Sequence, residues 1–260
     1  VSDEPMTFAA MEALDLCSRG LGLAVLQQAV EGLQLAPVLA DLGLNRSWPF
    51  GGTAASRRRA WLVISGVRLM LGLGLLFSGA SFLIPLVAAL NAAHWAGARG
   101  TLNGGSDSMT ATLGLGLSVA WLGQDVDTLR VLGLYFVAVH AVLSYFVSGV
   151  AKLKEPAWRS GTALSLALGG PRYGAPARLL ALLRVRSLAL TMSYGILLFE
   201  CLFPLALLVP AWTLAFVTLG AAFHGVSGMA LGLHRFVPVW LSTYPAVFYL
   251  SGQLAHLRGL

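Results

Sequence analysis

Cysteine and charge are what this sequence has least of. Its 260 residues hold two cysteines, Cys17 and Cys201, far apart and without a Cys-x-x-Cys spacing, so neither a disulfide framework nor a zinc site is expected. Only 11% of the residues are charged against 57% hydrophobic, too polar-poor a balance for a water-soluble globule of this size. Alternating runs of about ten residues are missing as well, which argues against an outer-membrane β-barrel. No Gly-x-Ser-x-Gly elbow, Walker loop, His-Glu-x-x-His helix or dinucleotide fingerprint occurs, and that removes the usual signposts of hydrolase, nucleotide and zinc-protease chemistry. Val1-Ser2-Asp3-Glu4 is acidic rather than basic, so nothing before Thr7 reads as a cleavable leader. Neither a soluble domain nor a repeat long enough for a duplicated transporter is visible.

What is present is helix-length apolar sequence. The mean hydropathy is +0.77, and successive apolar runs of roughly 17–25 residues match the thickness of a bilayer. The expectation is an all-α integral membrane protein: a bundle of about eight transmembrane helices with short interfacial helices, in one transmembrane domain over residues 1–260. Spans are expected at about 20–40, 60–78, 81–96, up to about 123, 128–151, 187–208, 212–233 and 236–254. The first carries Gln27, Gln28, Glu31 and Gln34, and it either crosses the membrane or lies along it. A polar loop with Pro49, Gly51 and Gly52 as breakers follows it, and Gly79 joins the next two spans as an antiparallel pair. Two interfacial helices, about 160–168 and 175–183, flank the breaker Gly169-Gly170-Pro171, and Pro238 and Pro245 bend the last span. The Gly-Leu-Gly-Leu strings at Gly20 and Gly114 read as helix packing. The net charge of +6 is read as a topology signal, not as affinity for nucleic acid. Most basic residues, Arg57 and Arg172 among them, share one face with Lys152, and the positive-inside rule assigns that face to the cytoplasm.

Polar residues inside apolar runs are costly, so each one needs a reason. The stretch 144–164, SYFVSGVAKLKEPAWRSGTAL, ends an apolar helix and then turns at Pro156 beside Trp158. Lys154 is placed to snorkel, whereas Lys152 shares a helix face with Ser148 and Tyr145 and has the cations Lys154 and Arg159 near it along the chain. Glu200 and His224 lie centrally in their spans; they form either a buried pair holding two helices together or part of a proton path or cofactor contact. His140 is about 120° away from the lysine stripe and reads as a core histidine. Arg68 is expected to pair with Glu31, because an unpaired buried charge is costly. In Leu-Asn-Gly-Gly-Ser-Asp at 102–107, Ser106 or Asp107 is placed to cap the following helix.

The string Gly149-Val150-Ala151-Lys152-Leu153, followed by Trp158 and Arg-Ser-Gly-Thr-Ala-Leu at 159–164, resembles the signature of the HTTM (horizontally transferred transmembrane) family, which includes the vitamin K-dependent γ-carboxylase. The surroundings of Glu200 and His224, with Gly232-Leu233 and Phe236, resemble its late helices, and 102–107 is similar to an element entering one of its helices. Ala151 stands where the animal enzymes have a second lysine, so the likeness is to a bacterial branch without the external C-terminal domain. The resemblance implies a multi-pass enzyme of the bacterial plasma membrane, using molecular oxygen and a reduced quinone, either vitamin K hydroquinone or menaquinol. Its partners would be the lipid bilayer, the lipid-soluble quinone and a peptide or small-molecule substrate. Lys152 then stands as the base, with Glu200 and His224 as further catalytic residues and Tyr145, Ser148 and Trp158 toward the cofactor; no metal is called for. The family's animal members work on the external side, opposite to the face the charge count gives. The other reading is non-catalytic: a membrane partner in peptide maturation or export, resembling the sporulation-delaying toxin maturation proteins.

Overall fold

The computed structural model describes residues 4–41, 53–97, 104–123, 126–169 and 177–259. The loop breakers Pro49, Gly51 and Gly52, the residues Leu102 and Asn103, the Gly170-Pro171 breaker and Arg172 lie outside the described residues. Every regular element among those described is helical. The order is α1 (Glu4–Asp41), α2 (Ala54–Leu73), α3 (Ile84–Gly97), α4 (Gly105–Leu122) and α5 (Asp127–Lys154), then the short α6 (Pro156–Arg159), α7 (Ala163–Leu168) and α8 (Ala177–Leu183). They are followed by α9 (Arg186–Leu202), α10 (Pro210–Leu231), α11 (Phe236–Leu241) and α12 (Tyr244–Leu257).

Among the described residues, four helices are long and apolar enough to cross a membrane: Ala54–Ser78, Asp127–Lys154, Arg186–Leu207 and Pro210–Leu231. They correspond to the expected second, fifth, sixth and seventh spans. Their outward faces are apolar, with Met70 67%, Phe77 75% and Met229 78% exposed, which is the surface that hydrocarbon covers. Ser81–His94 is a shorter apolar helix. The expected span at 236–254 is two helices, because Pro245 has no N–H for the preceding turn and the ladder breaks at Ser242-Thr243. Helix α1 begins at Glu4, well before the expected residue 20, since Met, Glu, Ala and Leu keep its first turns helical.

The chain divides into two compact units, Val1–Val137 with Pro238–Tyr249, and Ala138–Val237 with Leu250–Leu260. In the first, α1 packs along α2 and α4, and α3 along α4. Lipid is as apolar as leucine, so helices in it are held by close packing and hydrogen bonds rather than by apolar burial. The Gly-Leu-Gly-Leu strings supply that closeness: a Cβ at Gly22 would lie 2.8 Å from the Gly72 carbonyl, and one at Gly116 would lie 3.0 Å from the Gly133 carbonyl. Within this packing Arg68, only 2% exposed, donates through Nη2 to Gln28 Oε1 at 2.7 Å, and the Gln28 amide donates to Thr110 Oγ1 at 2.7 Å. Gln28, one turn before Glu31, is thus one hydrogen-bond partner of Arg68. Asp107 accepts from the Gly104 N–H at 3.4 Å, the capping expected of that stretch.

In the second unit, α6, α7 and α8 pack on α9, where Leu168, Leu183 and Ala189 form a small apolar core. A 3-10 turn, Phe203–Leu207, carries α9 toward α10. Thr213 Oγ1 closes this corner by donating to the Ala206 carbonyl at 2.6 Å and accepting from the Ser251 hydroxyl at 2.7 Å. His140 is exposed on α5 and is not a core histidine.

Candidate functional site

The C-terminal half of α5 carries Tyr145, Ser148 and Lys152 on one face, as their spacing of three and four requires. Between them Gly149 leaves the helix surface flat. A Cβ there would sit 2.8 Å from both the backbone N and the sulfur of Cys201 and 2.9 Å from Glu200 Cβ, so α9 crosses at this glycine and nowhere closer could a side chain intervene. The crossing delivers Glu200 between Ser148 and Lys152. Lys152 Nζ donates to Glu200 Oε1 and Oε2, both at 2.7 Å, and to Ser148 Oγ at 2.5 Å. The Ser148 hydroxyl lies 3.4 Å from Glu200 Oε1. Three acceptors thus match the three hydrogens of the ammonium.

Exposure is uneven across the pair: the Glu200 side chain is 3% exposed and that of Lys152 23%. The carboxylate is therefore sealed in, and the amine is its outlet. Trp158, placed by α6 immediately after the Pro156 turn, has its ring centroid 5.5 Å from Lys152 Nζ and covers that outlet with a cation–π contact.

About two helical turns before Lys152, the Tyr145 hydroxyl and His224 Nε2 of α10 are 2.7 Å apart in a buried hydrogen bond. Tyr145 stacks on Phe203 at 3.9 Å, with Phe199 edge-on at 5.5 Å, and His224 has Phe223 at 5.1 Å and Phe236 at 6.1 Å. Two polar pairs thus line up along α5 inside an aromatic shell. Ser193 Oγ, seven residues before Glu200, is buried without a hydrogen-bond partner among the described residues.

All six residues singled out from the sequence, Tyr145, Ser148, Lys152, Trp158, Glu200 and His224, come together here. Their pairing differs from the expected one. Glu200 is engaged by Lys152 and His224 by Tyr145, and the nearest ionic partner of Lys152 is this carboxylate, not the cations Lys154 and Arg159. What sequence reasoning missed is Gly149 as the crossing point and the phenylalanine shell. A signal for the pairing was present, because a lone acid and a lone lysine in apolar helices are each other's least costly partners. Cys201 is half-buried against Gly149 and Cys17 is fully buried, both packing residues.

Helices of membrane-spanning length and a sealed acid–base cluster mark the chain as a helical membrane protein with a built polar site. No protein-family model, no curated protein and no solved structure matches it.

Proposed function

We propose that the chain is a membrane-embedded enzyme of the HTTM, γ-carboxylase-like type, working with a reduced quinone and oxygen in a bacterial plasma membrane. In this reading the apolar helices beyond the four long ones complete a multi-pass bundle of about eight spans, with α7 and α8 at the interface. The observation that carries it is the Lys152–Glu200 pair beside Tyr145–His224. Both pairs combine a proton donor and an acceptor, an arrangement that suits proton transfer as well as holding helices together.

The residues present suit a quinol by their chemistry. An amine, two hydroxyls and an imidazole offer donors and acceptors to ring oxygens, and Phe199, Phe203, Phe223 and Phe236 offer ring faces. When bound, a reduced quinone with oxygen would supply a strong base or an oxidised product. The chain's part is proton handling. Glu200, in contact with Nζ through both oxygens, takes the lysine's proton, and the neutral amine at the exposed edge then accepts one from the substrate hydroxyl. Ser148 holds Nζ in line during the exchange, Trp158 keeps water from the outlet, and the Tyr145–His224 hydrogen bond offers a second position for a proton.

Purified protein should carry a quinone that organic extraction and mass spectrometry detect, and added quinol should be consumed with oxygen. Absence of quinone together with stable co-purification of a peptide would replace this reading with the maturation role.

A further inference from the structure

Between Pro156 and Phe199 the chain holds five arginines, no lysine and no acid. The consistent choice of arginine is informative: lysine or arginine alike marks the cytoplasmic side of a membrane, whereas the planar guanidinium grips a phosphate through two parallel hydrogen bonds. Four of the five, Arg159, Arg178, Arg184 and Arg186, are among the described residues, and all four are exposed. None of these side chains makes a hydrogen bond or ion pair with another described residue.

Three of them converge on one place within the second unit. A Cβ on Gly161, which takes φ 79°, would lie 3.0 Å from the Leu190 N and 3.2 Å from the Ala189 carbonyl carbon, so the turn after α6 rests against the first turns of α9. Arg159 stands two residues before that glycine, and Arg186 stands one turn before Leu190. Arg184 lies in the tight turn joining α8 to α9, where its N–H donates to the Ala181 carbonyl at 3.2 Å and the Val185 N–H to the Leu182 carbonyl at 3.1 Å. Like charges gathered in this way repel one another unless an anion lies among them.

Exposed hydrocarbon accompanies the charge. Leu182, Val185 and Leu188 are exposed and interleave with Arg184 and Arg186 along the same few residues. A soluble polyanion has no use for such leucines, while the headgroup region of a bilayer takes both kinds of group, phosphate on guanidinium and acyl carbon on leucine. The helix Arg186–Leu207 is long and apolar enough to cross a membrane, and its first residue falls where hydrocarbon would give way to headgroups. We propose that Arg159, Arg184 and Arg186 form a surface that binds the phosphate of an anionic phospholipid, with Leu182, Val185 and Leu188 against its acyl chains. This surface is independent of the quinone chemistry proposed for Lys152.

The test uses the full chain in detergent micelles, titrated in native mass spectrometry with phosphatidylglycerol or with phosphatidylcholine of the same acyl chains. Phosphatidylglycerol should be retained about tenfold better. Arg159→Gln, Arg184→Gln and Arg186→Gln should each weaken its retention about fivefold, the effect of one cation at an anionic surface. Arg258→Gln is the control: this exposed arginine donates to the Leu208 carbonyl just beyond the other end of the same helix, and its loss should leave retention unchanged. Helicity by circular dichroism should be unaltered in all four variants, since each replaced side chain is exposed. Equal retention of the two lipids by the unaltered chain, full retention by the three arginine variants, or an equal loss in Arg258→Gln would overturn the proposal. Displacement of the lipid by an equal concentration of soluble glycerophosphoglycerol would overturn the assignment to a membrane source.

Discussion

Lys152 Nζ contacts both carboxylate oxygens of Glu200 at 2.7 Å, joining α5 to α9 across 48 residues of sequence. One partner is almost sealed and the other reaches the edge, so the pair clamps the two helices and, in the function proposed above, would pass a proton outward through the amine.

The clamp sets the first expectation. Glu200→Gln leaves the ammonium without its counter-charge, a loss toward the lower end of about 3–5 kcal/mol because Lys152 retains some exposure. Adding Lys152→Met to that variant should recover much of the stability. Thermal unfolding of the single and double variants in detergent measures it, and plain additivity would show that the two side chains do not depend on each other.

The relay sets the second. Arginine keeps the ion pair but stays protonated in proteins. Lys152→Arg should therefore fold and insert normally yet lose quinol-dependent turnover as fully as Lys152→Ala, while Lys154→Ala should be mild. An active Lys152→Arg protein would show that the residue serves only as a cation.

Gly149 provides a geometric test. Gly149→Val would place carbon atoms against the Cys201 backbone and push α9 away, costing about 1–3 kcal/mol from overpacking and abolishing the Lys152–Glu200 contact. Gly195→Ala on α9, where a Cβ meets nothing within 4 Å, should be neutral or slightly stabilising. Comparing melting temperature and turnover for the two separates loss of the crossing from general helix effects.

For the second pair, Tyr145→Phe keeps the stacking on Phe203 and removes only the hydroxyl that meets His224. The expected cost is about 1 kcal/mol. With His224→Gln it should show a coupling energy of about 0.5–3 kcal/mol in a double-mutant cycle. A coupling near zero would mean that the two side chains act apart.

The membrane-length helices were legible in the sequence because apolar length is a local property, and so was the stripe of Tyr145, Ser148 and Lys152, since residues three and four apart share a helix face whatever surrounds them. Glu200 and His224 could be picked out for the same kind of reason, as polar groups standing in apolar runs. At 236–254 the bend expected at Pro245 is a full break at Ser242-Thr243, and local pattern misled at His140, which lies exposed, because its position along α5 did not say which face of the helix meets the rest of the chain. Chemistry in the sequence hinted that an acid and a lysine in apolar helices would pair, but the contacts themselves were decided by tertiary structure. Glu200 meets Lys152 because α5 and α9 cross at Gly149, and His224 meets Tyr145 because α10 also lies against α5. A crossing point depends on which surfaces of two distant helices can approach to backbone contact, and no spacing within either helix encodes that.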